Sequence, residues 1–141
     1  MNGERVFLDA NVLVYANDTA FPEKQSSARE LLSRVIRTGT GCLSTQVMAE
    51  FWVTVTRKLK TPLSTEAARR QIALLDALTV VAIDRSIFLA ALGIQERYQL
   101  CFWDSQIIAT AQAASCVQLY SEDLQNGAVY GGVQVVNPFL P

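Results

Sequence analysis

A chain of 141 residues, half of them hydrophobic and 18% charged, has the make-up of one folded domain and not of a disordered segment. It contains no histidine. That excludes Ser-His-Asp and Cys-His catalysis, histidine acid–base chemistry and His-ligated zinc, so any chemistry falls to carboxylates, hydroxyls, amines or a bound ion.

The net charge of −1 and the pI near 5.4 lack the overall basic footprint of a nucleic-acid binder, so a polyanionic ligand would need local basic residues or bound cations. Cys42, Cys101 and Cys116 form no C-x-x-C pair and read as small apolar filler in a reduced cytoplasm. No apolar run approaches the roughly 18 residues of a membrane span. Met1 to Val6 carries Glu4 and Arg5 without a long apolar leader, so a cytoplasmic protein without a membrane segment is expected.

The first predicted strand is Arg5-Val6-Phe7-Leu8. A helix comes next, with Ala28, Leu31, Leu32, Val35 and Ile36 at the i, i+3, i+4, i+7, i+8 spacing of one face. Thr38-Gly39-Thr40-Gly41 ends it, and Cys42-Leu43 fits a second short strand. Ser44 or Thr45 can cap the next helix, whose buried face is Val47, Met48, Phe51, Trp52, Val55 and Leu59. Thr61-Pro62-Leu63-Ser64 breaks the chain before a helix from about Thr65 to Ala77. Thr79 to Ile83 reads as a strand, and Asp84 or Ser86 starts a helix with Ile87, Phe88, Ala91 and Leu92 facing inward. Asp104 to Ala114 is helical. Val117 to Tyr120 and Val133 to Val136 are the last predicted strands, with turns at Asn126-Gly127 and Gly131-Gly132. The alternation predicts one α/β domain over residues 1–141: a mainly parallel sheet of about five strands, flanked by helices, with ligands at its carboxyl edge.

Several acids fall where that rule places a site. Asp9 follows the first strand, Asp123 follows the strand ending at Tyr120, Asp104 opens a helix, and Glu50 lies on the helix after the second strand. Carboxylates gathered there could not all stay ionised without a cation or protons. An all-oxygen donor set selects Mg2+ or Mn2+, and an ion-activated water can attack a phosphodiester. Each Asp also fits an ordinary helix N-cap, and Asp84, in a similar setting, shows that local context does not separate the two roles. Glu50 sits at the border of its apolar stripe, a place that equally suits a solvated side chain. Arg57, seven residues on, lies roughly 10 Å further along that stripe, within reach of a neighbouring phosphate or of the helix dipole. Trp52 sits on the buried face, whereas Trp103, beside Asp104, could stack on a base.

Taken in order, the motifs resemble PIN-domain nucleases, most closely the VapC-type toxins of toxin–antitoxin pairs. Val6-Phe7-Leu8-Asp9-Ala10-Asn11-Val12-Leu13-Val14-Tyr15-Ala16 is similar to the opening strand and first acidic position. Ser44-Thr45-Gln46-Val47-Met48-Ala49-Glu50-Phe51 is similar to the helix that supplies the glutamate. Phe102-Trp103-Asp104-Ser105-Gln106-Ile107-Ile108-Ala109 and Tyr120-Ser121-Glu122-Asp123-Leu124-Gln125-Asn126-Gly127 resemble the third and fourth positions.

The resemblance implies an endoribonuclease whose Mg2+ or Mn2+ is held by Asp9, Glu50, Asp104 and Asp123, with Asn11 and Ser121 in support. Glu122 is the alternative to Asp123. Ala10 departs from the Thr or Ser often found there. The implied partners are an RNA substrate, a small cognate antitoxin and a second copy in a homodimer.

Overall fold

A computed structural model describes residues 3–141, so Met1 and Asn2, with which the expected domain begins, lie outside the described residues. In chain order it contains β1 (Val6–Leu8), α1 (Ala10–Tyr15), α2 (Pro22–Thr38), β2 (Gly41–Ser44) and α3 (Thr45–Val53), which runs on through a π-helical turn at Thr54–Lys58. Next come α4 (Thr65–Leu74), closed by a 3-10 turn at Leu75–Ala77, then β3 (Thr79–Val81), α5 (Arg85–Tyr98) and α6 (Phe102–Ala113). The chain ends in β4 (Gln118–Tyr120), β5 (Val129–Tyr130) and β6 (Val133–Val136).

The six strands form one sheet in the order β3-β2-β1-β4-β6-β5. All neighbours pair in parallel except β5 and β6, which form a hairpin with Val129 opposite Gln134. Strands laid down after β1 build outward in one direction through β2 and β3. The chain then returns to place β4 and β6 on the other side of β1. The connections therefore diverge above the carboxyl ends of β1 and β4, and a crevice opens there.

Two elements differ from the sequence expectation. The two-residue β5 is the sixth strand where about five were expected; so short a piece carries no periodic signal. Helix α1 is the other. Its six residues, with β-branched Val12 and Val14, are too few to show a helical period and the sequence predicts no element there, yet Asp9 caps a helical turn through the Ala10 N–H at 2.7 Å.

The core gathers Phe7, Leu8, Leu13, Leu43, Phe51, Ile108 and Leu119, all fully buried. On α2, Ala28, Leu31 and Val35 are buried as expected, while Ile36 at the end of that stripe is exposed. On α5 only Ile87 and Ala91 are buried, whereas Phe88 and Leu92 face solvent, so its inward stripe is half as wide as predicted. Cys42 and Cys116 are buried, as expected of apolar filler, whereas Cys101 is exposed and acts as the N-cap of α6. No helix among the described residues is long and apolar enough to cross a membrane.

Gly39, at φ 70°, ends α2 in the left-handed conformation that glycine adopts without penalty. Gly41, two residues later, is needed for a different reason. A Cβ there would lie 2.6 Å from Leu78 Cδ2 and 2.9 Å from Val35 Cγ2, both core side chains. Overpacking of this kind costs about 1–3 kcal/mol. Gly41→Ala is therefore expected to lower the unfolding free energy by that amount, read as a lower urea midpoint with an unchanged slope; an unshifted midpoint would mean that Leu78 and Val35 move aside freely.

Candidate active site

The site begins where β1 ends. The Asp9 N–H donates to the Tyr120 carbonyl at 3.0 Å, so its backbone is still fixed by the β1–β4 ladder. Its side chain is 5% exposed. Oδ1 accepts from the Ala10 N–H, and Oδ2 accepts from the Ser121 hydroxyl at 2.7 Å. Burial pushes the Asp9 carboxyl up from the ordinary 3.8 to about 6. The Ser121 and Ala10 hydrogen bonds oppose that shift, and the charges of Asp123 and Glu50 add to it.

Ser121 stands at the matching end of β4. Its oxygen accepts from the Asp123 N–H at 3.1 Å and from Asn11 Nδ2 at 3.3 Å, which directs its own proton to Asp9. Asn11 Nδ2 also donates to Asp123 Oδ2 at 3.2 Å. Asn11 and Ser121 thus link two carboxylates that lie 114 residues apart in the chain (123 − 9). Glu122 is engaged by other partners. It accepts from Tyr15 Oη at 2.6 Å and pairs with Lys24 Nζ at 2.9 Å, so its charge is already matched.

Glu50 reaches the crevice from α3, whose N-terminus is capped by the Ser44 hydroxyl on the Val47 N–H at 3.2 Å. Its carboxyl is raised above the usual range by partial burial. The Gln46 hydrogen bond opposes this, Asp104 and Asp123 reinforce it, and Lys58 eases it. Asp104 does not open α6. Cys101 is the N-cap, with Sγ accepting from the Asp104 N–H at 3.5 Å, so Asp104 sits inside the first turn. The helix begins two residues earlier than the Asp104 start expected from sequence.

Asp9, Asn11, Tyr15, Asp18, Glu122 and Asp123 line a pocket of about 250 Å3 together with Glu50 and Thr54. Glu50 and Thr54 also form the wall of a larger cleft of about 630 Å3, which continues to Lys58, Trp103 and Gln106. Each predicted acid thus acts electrostatically on another at one edge of the sheet. Among the described residues, however, no three carboxylates converge tightly enough to cage an ion directly. The donor set still fits a hard divalent cation. Mg2+ commonly takes only one or two carboxylates and reaches the others through water.

Arg57 departs from expectation. The Leu59 N–H donates to the Thr54 carbonyl at 3.2 Å, an i→i+5 bond that adds a residue to this turn and rotates the side chains beyond it. Arg57 is carried away to a face shared with Trp52, Thr56 and Thr65, and Lys58 takes its place beside Glu50. Trp52 packs against the core as predicted. Sequence reasoning missed Gln46, although its i, i+4 relation to Glu50 was readable. It also missed Lys24, whose partner Glu122 lies 98 residues away and leaves no local signal.

Residues 6–129 match the PIN domain. The chain belongs to the PIN domain family. Among solved structures, it superposes on a toxin–antitoxin complex from Klebsiella pneumoniae with a TM-score of 0.71 and 20% identity, covering 94% of this chain and 97% of the other. VapC20 of Mycobacterium tuberculosis, described as a sarcin-ricin loop cleaving toxin, gives 0.67 and 15%, with coverage of 84% and 89%. VapBC2 of Rickettsia felis, bound to a DNA fragment from its promoter, gives 0.68 and 16%, with coverage of 92% and 96%. Comparison with curated proteins gives no significant match.

The buried carboxylate gives this PIN domain a pH signature. Between pH 3.8 and about 6 the folded chain keeps a proton on Asp9 that the unfolded chain has released. Stability therefore falls as pH rises through that window, and the charge costs the metal-free fold on the order of 3 kcal/mol above it. Asp9→Asn is expected to be more stable than the parent at pH 8 with a chelator present, with a flatter profile between pH 4 and 6. Urea unfolding across that range tests this. A variant less stable than the parent at pH 8 would contradict it.

Proposed function

We propose that this PIN domain is a metal-dependent endoribonuclease acting in the cytoplasm as the VapC-type toxin of a toxin–antitoxin pair. The observation that carries the reading is that Asp9, Glu50 and Asp123 line one pocket at the carboxyl edge of β1 and β4, with Asp104 near enough for its charge to act on Glu50. The overall likeness to toxin structures supports the biological setting.

Asp9, Glu50, Asp104 and Asp123 would hold Mg2+ or Mn2+. When bound, such an ion neutralises the carboxylates, acidifies a water for attack on a phosphodiester and offsets charge on the leaving oxygen. The protein's own part is positioning. Ser121 fixes Asp9 by its directed hydroxyl, and Asn11 fixes Asp123 against the same hydroxyl. Gln46 holds Glu50 Oε1 at 2.9 Å. Burial keeps Asp9 above the ordinary carboxylate range, so an arriving cation replaces a proton or relieves repulsion at little structural cost. Lys24 matches the charge of Glu122, which lines the same pocket.

The same reading includes a small cognate antitoxin, in keeping with the toxin–antitoxin complexes among the similar structures, and it takes the antitoxin to block the site and the toxin to work as a homodimer.

Incubating RNA with purified protein and Mn2+ tests the activity. Asp9→Asn and Asp104→Asn are each expected to cut at least about 100-fold more slowly, a larger loss than removal of a supporting group causes. Glu122→Gln is expected to lose less than about 10-fold, because it breaks an ion pair outside the cluster. Equal RNA loss with parent and acid-to-amide proteins would leave a non-cleaving RNA- or metal-binding module as the better description.

A further inference from the structure

The larger cleft beside Glu50 has features that the acidic cluster does not use. Trp103 stands on its rim with 61% of its surface in solvent, although burying an indole is among the largest gains a fold can make. Phe102 packs edge-on against it, with ring centres 5.1 Å apart and planes at 77°, so the ring is held without being covered. Ala49, Val53 and Ile83 supply apolar walls, and Lys58 supplies a cation.

The cleft also contains two glutamines whose amides are oriented by the site itself. Gln46 Nε2 faces two acceptors, Glu50 Oε1 at 2.9 Å and the Trp103 carbonyl at 3.3 Å, so its nitrogen cannot exchange places with its oxygen. Gln46 Oε1 must then accept, and it does so from Gln106 Nε2 at 2.8 Å. Gln106 is only 6% exposed. Its Oε1 has no protein partner among the described residues, and no fully buried side-chain oxygen is left unsatisfied, so that oxygen reaches the opening this residue lines. An acceptor held in place by the charge of Glu50 is thus presented to the cleft. A hydrogen-bond donor is its complement.

We propose that this cleft holds one unpaired RNA base next to the scissile phosphate, stacked on Trp103, with its exocyclic amino group donating to Gln106. The inference rests on the nuclease reading above and adds a preference: adenine, cytosine and guanine carry such an amino group, and uracil does not. Glu50 and Thr54 line both the cleft and the Asp9 pocket, so a strand whose phosphate meets the carboxylates has its neighbouring base at the cleft. Lys58 stands where a flanking phosphate can use it. Unpaired bases are read in this way, by an aromatic platform and edge hydrogen bonds.

The test uses the full chain carrying Asp9→Asn to stop cleavage and Trp52→Phe, which leaves Trp103 as the only tryptophan of two. Short single-stranded oligo-A, oligo-C and oligo-U RNAs are titrated in with Mn2+ while indole fluorescence is followed. Expected are quenching of Trp103 by oligo-A and oligo-C, and about 10-fold weaker binding of oligo-U. Trp103→Ala weakens binding about 10-fold or more, Trp103→Phe recovers most of it, and Gln106→Met removes the preference against oligo-U without weakening oligo-U itself. In the active chain, Trp103→Ala raises KM more than it lowers kcat. RNA binding without quenching, or unchanged affinity in Trp103→Ala, would overturn the proposal and assign the cleft to another occupant, such as a protein partner. Failure of the nuclease reading shows separately, as RNA loss that persists after the acids are replaced.

Discussion

The 2.7 Å hydrogen bond from Ser121 to Asp9 joins the ends of two neighbouring parallel strands, and the rest of the site depends on it. A carboxylate at the mouth of the sheet, 5% exposed, has lost most of its water. Two short hydrogen bonds replace that water, from the Ala10 N–H, which is free because it opens α1, and from the Ser121 hydroxyl, with a longer one from Asn11 Nδ2 at 3.5 Å. The donors do not fully compensate, so the carboxyl stays above its ordinary range. A fold selected for stability alone would place an amide or an apolar side chain there. The uncompensated charge is intelligible as a seat for a cation.

Two polar networks spread from that point and keep the remaining acids in place. On the β4 side, Asn11 ties Asp123 to Ser121, and the Glu122 N–H returns to Asn11 Oδ1 at 3.4 Å. On the α3 side, Gln46 and Gln106 set the direction of Glu50 and link it to the helix bearing Asp104. Between neighbouring acids the protein makes a choice. Lys24 binds Glu122 in surroundings formed by Tyr15, Phe21 and Phe139, with its ammonium 4.6 Å from the Tyr15 ring centre. That half-exposed pair contributes modestly to stability. Its larger consequence is that Glu122, although it lines the same pocket, has its charge already matched, whereas Asp123 makes no ion pair among the described residues.

Much of this was legible in the sequence because it depends on residue type and order. The strands of a parallel sheet are short apolar runs, and acids placed just beyond them fall at one edge whatever their separation in the chain. Asp9 and Asp123 could be placed at that edge on this ground, whereas Glu50 and Asp104, on helices, stood out through the resemblance to PIN-domain nucleases. What escaped were features set by packing. Helix α1 and β5 are too short for a period to show. Whether Glu122 or Asp123 enters the site depends on Lys24, 98 residues away from Glu122. The outer half of the α5 stripe, Phe88 and Leu92, is apolar in sequence yet exposed in the fold, because periodicity shows which face could be buried and not whether anything covers it.

The π turn at Thr54–Lys58 shows how a packing detail acquires chemical meaning. Extra residues in a helical turn weaken its hydrogen-bond geometry and are kept mostly where they re-aim side chains. Here Val55 remains fully buried while the added residue rotates Arg57 away and brings Lys58 beside Glu50. The rotation satisfies both demands, since an unbroken helix keeping Val55 in the core would present a different residue to the cleft. Under the proposed function, a chain of net charge −1 has to approach a polyanion, and there one lysine at the edge of an acidic pocket matters more than the total count of basic residues. Local placement, with a divalent ion among the carboxylates, can reverse the sign of the field where the phosphate arrives while the rest of the surface stays acidic.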